Sequence, residues 1–150
     1  MDSVLIETFR YKLACCPLFV GLSAEEFARL MTLGEVRALA SGESVVEHGP
    51  KGNELIVVVE GRCDVRSELN DLIAVLEQGA LIGEVGFVDG QGRSATVSAS
   101  GDATVLVFEE DLLRRLDDAP SLQIQLLKNL ATILCQKLRF TTRLAQAGFV

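Results

Sequence analysis

Eleven of the thirteen glycines fall between Gly34 and Gly101, at intervals close to the length of a short strand. Glycine weakens a helix interior and is the residue that turns require, so this stretch cannot form long helices. Between the glycines lie runs rich in β-branched and aliphatic residues, at Glu35–Ala40, Ser44–Glu47, Leu55–Val59, Arg62–Ser67, Leu72–Leu76, Ala95–Ala99 and Ala103–Phe108. Several alternate apolar with polar, as in Cys63-Asp64-Val65-Arg66, which is the pattern of a strand with one wet face. Glu54 to Val59 is instead almost continuously apolar and predicts a strand buried on both faces. Many short strands of this kind predict a β-sandwich or β-barrel across residues 35–108.

Helical patterning flanks the barrel on both sides. Residues 1–34 carry a first helical segment from Asp2 to Cys16, stopped by Pro17. A second helix starts at Ser23, where Ser23 and Glu26 form a capping box ahead of Phe27, Leu30 and Met31, and it ends at Gly34. In residues 109–150, Leu112, Leu113 and Leu116 predict a short helix before Pro120. Pro120 then opens a long helix running to about Leu144, with Leu126, Leu127, Leu130, Ile133, Leu134 and Leu138 as its apolar stripe. Phe149 and Val150 are expected to fray. No linker or repeat divides the chain, so residues 1–150 read as one domain, mainly β with flanking α.

The composition narrows the function. Hydrophobic residues make up 49% and aromatics 5%, so the core is aliphatic. A formal net charge of −7 disfavours nucleic acid and anionic membranes as partners, and any bound anion needs a locally built pocket. Cys15, Cys16, Cys63 and Cys135 show no metal-ligand spacing, and His48 is the only histidine, so no metal site and no two-His metalloenzyme of similar barrel shape is expected. His48 itself reads as a solvated turn residue. No signal peptide opens the chain and no run reaches the roughly 18 apolar residues of a membrane span, so a cytoplasmic location is expected. No catalytic pair, triad or metal cluster is visible, which argues against an enzyme.

One segment carries chemistry. Residues 81–97, Leu81-Ile82-Gly83-Glu84-Val85-Gly86-Phe87-Val88-Asp89-Gly90-Gln91-Gly92-Arg93-Ser94-Ala95-Thr96-Val97, read as a turn into a one-turn helix, a tight loop, and a strand opening with Arg93. A helix start offers unpaired N–H groups to an anion, and Gly83 and Gly86 leave the approach open. Arg93 can meet the anion with a bidentate fork. Glu84 would repel that anion unless it has a donor of its own, which a ribose hydroxyl supplies. A phosphate fused to a ribose satisfies both groups.

The segment resembles the phosphate-binding cassette of the cyclic-nucleotide-binding domains, through Gly83-Glu84 and Arg93-Ser94-Ala95-Thr96-Val97, nine residues apart from Glu84 to Arg93. Pro17-Leu18-Phe19, Gly21-Leu22-Ser23, the Gly49, Gly52 and Gly61 turns and the closing long helix extend the resemblance over nearly the whole chain. It implies a double-stranded β-helix, or jelly-roll β-barrel, across residues 35–108, with cAMP or cGMP as the ligand and cAMP preferred. Glu84 would accept from the ribose 2′-OH, and Arg93 would pair with the cyclic phosphate. The backbone at Gly83, Val85, Gly86 and Ala95, with the Ser94 hydroxyl, would complete the cradle. Arg139 and Phe140 on the last helix are candidates for capping the base. Two positions depart from the pattern: Gly86 stands where the family usually has Ala, and Gly92 where it has Pro. Both are expected to loosen the cassette. The implied role is a sensor that passes ligand binding through the C-terminal helices to an effector protein or fused domain. The alternatives are a nucleotide-independent interaction domain of the same fold, countered by Glu84 and Arg93, and the sensor fragment of a catabolite-activator-type transcription factor. The latter needs a helix-turn-helix after the long helix, for which this chain has no room.

Overall fold

The structure is a computed structural model and describes residues 1–148, so Phe149 and Val150 lie outside the described residues. Eight strands form two four-stranded antiparallel sheets that face each other. β1 (Gly34–Leu39), β8 (Ala103–Phe108), β3 (Leu55–Glu60) and β6 (Leu81–Ile82) make one sheet in that order. β2 (Ser44–Val46), β7 (Thr96–Ala99), β4 (Cys63–Arg66) and β5 (Leu72–Leu76) make the other. This strand order is an eight-stranded jelly roll, the form that the family resemblance implies within the sandwich-or-barrel class set by the glycine punctuation. β6 has only two residues and no sequence signal of its own.

β3 shows why its sequence is uniformly apolar. Leu55, Val57 and Val59 point into a layer of helices, while Ile56 and Val58 point into the space between the sheets. β8 divides in the same way, with Leu106 and Phe108 on the helical side and Val105 and Val107 on the barrel side. The two central strands of this sheet are thus covered on both faces, and all five residues from Leu55 to Val59 are buried.

The helices follow their local signals. α1 spans Ser3–Lys12, shorter than the Asp2–Cys16 segment, and the chain then enters a 3-10 turn at Pro17–Phe19. α2 (Ala24–Met31) has the predicted capping box: Glu26 N–H donates to Ser23 Oγ and Ser23 N–H donates to a Glu26 carboxylate oxygen. Later, after β6, the chain turns through Gly83 into α3 (Glu84–Asp89), and after β8 Pro120 opens α4 (Pro120–Gln146).

The α-helix expected over Glu109–Leu116 does not form. The segment is a series of turns ending in a 3-10 helix at Arg114–Leu116. Its bonds run mostly three residues back, from Leu112 N–H to Glu109 O, Leu116 N–H to Leu113 O and Asp117 N–H to Arg114 O. Leu112 and Leu116 are still buried, so the leucine spacing reports burial rather than α-helical winding.

α4 is docked by a residue outside the predicted stripe. Asn129 is buried, and its Nδ2 donates to Leu18 O at 2.7 Å and Val20 O at 2.8 Å, while Gln125 donates to its Oδ1. These bonds tie α4 to the Pro17–Phe19 turn and to the residue that follows it, and give the buried Leu18 a donor for its carbonyl. Asn129→Leu should therefore cost roughly 1–3 kcal/mol, read as a lower urea midpoint with an unchanged m value.

Candidate functional site

The chain enters the site through β6 and turns on Gly83, whose φ is +80°. A side chain here would be strained by the left-handed φ, and its Cβ would crowd the Glu54 carbonyl at 2.9 Å and push the Arg93 guanidinium aside. α3 starts at the next residue. Its first backbone bond back to the turn is Phe87 N–H to Gly83 O, so the amides of Glu84, Val85 and Gly86 have no partner of the ordinary helical kind. Gly86 packs directly against the return loop, where an added Cβ would sit 2.4 Å from Gly92 O.

Gly92 adopts φ +79°, a conformation proline cannot reach, and its own Cβ would meet Gly49 O at 2.3 Å. The two departures from the family pattern are therefore one feature: a tighter loop at Gly92 leaves no room for a methyl at Gly86. Arg93 follows and is anchored by a two-way backbone bridge with Gly49.

Around these residues lies a cavity of about 430 Å³. Every residue of the predicted phosphate cradle lines it: Gly83, Glu84, Val85, Gly86, Arg93, Ser94 and Ala95. The walls from β2, β4, β5 and β7 are apolar, through Val46, Val65, Ala74, Leu76 and Val97. Polar groups on one side and aliphatic strands on the other make a pocket suited to a ligand with an anionic end and a flat, weakly polar body. Ser94 is exposed at the cavity, whereas the Thr96 hydroxyl accepts from His48 N–H. His48 reaches across to Glu68 at the β4–β5 turn.

Arg93 and Glu84 are buried polar residues, and each is paired, though not with the other. Arg93 Nη1 donates to Gly83 O at 3.0 Å, and Nη2 donates to Glu54 O and Glu54 Oε2. Burial pulls the guanidinium pKa down and Glu54 opposes the shift. Glu84 is paired with Lys137 of α4, whose ammonium burial pulls below the ordinary lysine range. Glu54 and Lys137 lie 39 and 53 residues from the groups they hold, and no local pattern marks them. Arg139 and Phe140 are exposed and do not line this cavity; Phe140 borders a shallow groove with Ile133, Gln136 and Lys137. Among the described residues no cluster of His, Cys, Asp and Glu could hold a metal ion, and no helix is long and apolar enough to cross a membrane.

Comparison with known proteins gives this pocket a context. The chain is 31% identical to the cyclic AMP receptor protein of Thermus thermophilus over 128 residues, covering 82% of this chain and 57% of that protein. It is 35% identical to the cAMP-dependent protein kinase regulatory subunit of Mycosarcoma maydis over 88 residues, 57% of this chain and 17% of that one. The chain thus spans at most 57% of the length of these two curated relatives. Its fold superposes on a crystal structure of a cyclic nucleotide-binding domain from Methylobacillus flagellatus KT with a TM-score of 0.82 at 25% identity, covering 98% of this chain and 85% of that one. The Thermus thermophilus catabolite activator protein matches with a TM-score of 0.76 at 29% identity, over 87% of this chain and 62% of that one. The family model described as the cyclic nucleotide-binding domain matches residues 36–119, more than half of the chain and including all of α3 and its loop. The chain belongs to the cyclic nucleotide-binding domain family.

Proposed function

We propose that residues 1–150 act as one cyclic-nucleotide sensor, with cAMP as the preferred ligand and cGMP as the competitor to test. The observation that carries this reading is that Glu84, Arg93 and the free amides of α3 line a single cavity whose other walls are aliphatic. In this reading Glu84 accepts from the ribose 2′-OH. Arg93, the Ser94 hydroxyl and the N–H groups of Val85, Gly86 and Ala95 hold the cyclic phosphate, which approaches over Gly83. The guanidinium has five N–H donors and three bonds to Gly83 and Glu54, leaving donors for the phosphate. The base lies against Val65, Leu76 and Ile82. Arg139 and Phe140 would cap it only if the outer part of α4 moved inward.

The module performs no chemistry in this reading and needs no metal. It works in the cytoplasm, and ligand binding shifts α4 and the turn before it, biasing an effector protein or fused domain. With a net charge of −7, neither nucleic acid nor an anionic membrane is its direct partner. One observation favours a second reading, a nucleotide-independent interaction domain: both ligand-facing charges already have protein partners, in Glu54 and Lys137.

A thermal-shift titration separates the two. At one hundred times Kd, a ligand specific for the native state adds roughly 2.7 kcal/mol. For a chain of this length that corresponds to a rise in Tm of roughly 5–10 °C. The sensor reading expects that rise with cAMP; no shift with millimolar cAMP or cGMP leaves the interaction domain.

A further inference from the structure

α4 leaves the core part-way along its length. Ile133 is its last buried residue; Leu134 is half-buried, and Cys135, Gln136, Leu138, Arg139 and Phe140 are exposed. Thr141 and Thr142 return their hydroxyls to the helix's own carbonyls. Among the described residues, the Lys137–Glu84 ion pair is the only salt bridge or side-chain hydrogen bond that ties α4 beyond Ile133 to the rest of the chain. That one tie ends on the carboxylate assigned above to the ribose.

The two partners are unequal. The Glu84 side chain is 3% exposed and the Lys137 side chain 57%. A buried carboxylate must keep a donor, because leaving it unpaired is costly. An ammonium at a cavity mouth returns to water at little cost. Both line the same cavity, so a sugar hydroxyl within bonding reach of Glu84 enters the space the lysine occupies.

We propose that Lys137 is a latch fastening the outer half of α4 to the cassette, and that a ligand hydroxyl opens it by replacing the ammonium on Glu84. The proposal rests on the reading of Glu84 as the ribose acceptor and names the contact through which that site addresses α4. Lys137 acts here as a positioning residue. It follows that a nucleotide lacking the 2′-OH fills the site and leaves the latch closed.

The test is amide hydrogen exchange across residues 134–146 of the whole chain, comparing wild type, Lys137→Met and Lys137→Arg. Each is measured alone, with cAMP and with 2′-deoxy-cAMP. Without nucleotide, Lys137→Met should exchange roughly two- to fivefold faster than wild type over 134–146, while residues 122–133 stay unchanged and report an intact fold. Lys137→Arg, which keeps the cation, should match wild type. In wild type, cAMP should accelerate exchange and 2′-deoxy-cAMP should not. Lys137→Met should also bind cAMP roughly two- to fivefold more tightly, since no ion pair has to be displaced. If Lys137→Met exchanges like wild type without nucleotide, the latch is wrong whatever the pocket binds. If it exchanges faster but wild type binds no cyclic nucleotide, the site reading fails and hydroxyl release fails with it. Equal effects of the two nucleotides on bound wild type, or protection by cAMP, overturn the exchange on Glu84 alone.

Discussion

Arg93→Ala should weaken cAMP binding by roughly 30-fold to several thousand-fold, the range for truncating one partner of a buried charge pair. The loss follows from what remains around the phosphate once the guanidinium is gone, which is backbone dipoles and the Ser94 hydroxyl. Arg93 has structural duties as well. It donates to Gly83 O and to both the carbonyl and the carboxylate of Glu54, and its removal leaves these acceptors short of a donor. The variant should therefore also lose about 1–3 kcal/mol of stability. Calorimetric titration well below its midpoint, with circular dichroism to verify folding, separates the two losses. Arg93→Lys should fall between: it keeps the charge but cannot fork to Gly83, Glu54 and a phosphate together. Wild-type affinity in a folded Arg93→Ala protein would remove Arg93 from the phosphate.

The second large effect is one of selectivity. Glu84→Ala should weaken cAMP binding by roughly ten- to a hundredfold, from the loss of a hydrogen bond to a charged acceptor. Binding of 2′-deoxy-cAMP should hardly change, because that ligand offers the carboxylate nothing. The measurement is a double-mutant cycle with two nucleotides and two proteins, in which the coupling term isolates the hydroxyl. The variant tolerates the change better than burial alone implies, since the lysine left behind is largely exposed. If wild type already binds both nucleotides equally, Glu84 does not read the ribose and the cassette assignment fails at its most diagnostic position.

Much of this architecture was legible in the sequence where the cause is local. Glycine spacing, the Ser23–Glu26 box, Pro120 and the unbroken apolar run of β3 each act through neighbours a few residues away, and each led to the right element. The segment that lines the cavity was legible for the same reason, being one continuous stretch from Leu81 to Val97. The missing pieces are long-range. Glu54 holding Arg93, Lys137 holding Glu84 and Asn129 reaching Leu18 and Val20 join residues 39 to 111 positions apart, and no periodicity encodes such pairings. The apolar pattern and the buried face of α4 differ for a geometric reason. Its core positions are Leu122, Leu126, Asn129, Leu130 and Ile133. Leu127 and Leu138, 48% and 68% exposed, lie to one side of that line or beyond its end. The stripe includes an asparagine, so an apolar pattern alone steps past it.

The mutual fit of Gly86 and Gly92 bears on how this cassette could change. A methyl at Gly86 runs into the Gly92 carbonyl while the loop keeps its present path, and proline at residue 92 is forbidden by the backbone angle of that same path. Neither familiar residue can be introduced first without meeting the other half of the old arrangement. The two sites are epistatic: each single step is unfavourable, and only a joint replacement with a rerouted loop leads back to the common form. A library that samples these positions one at a time would score both glycines as indispensable, although what is indispensable is their agreement.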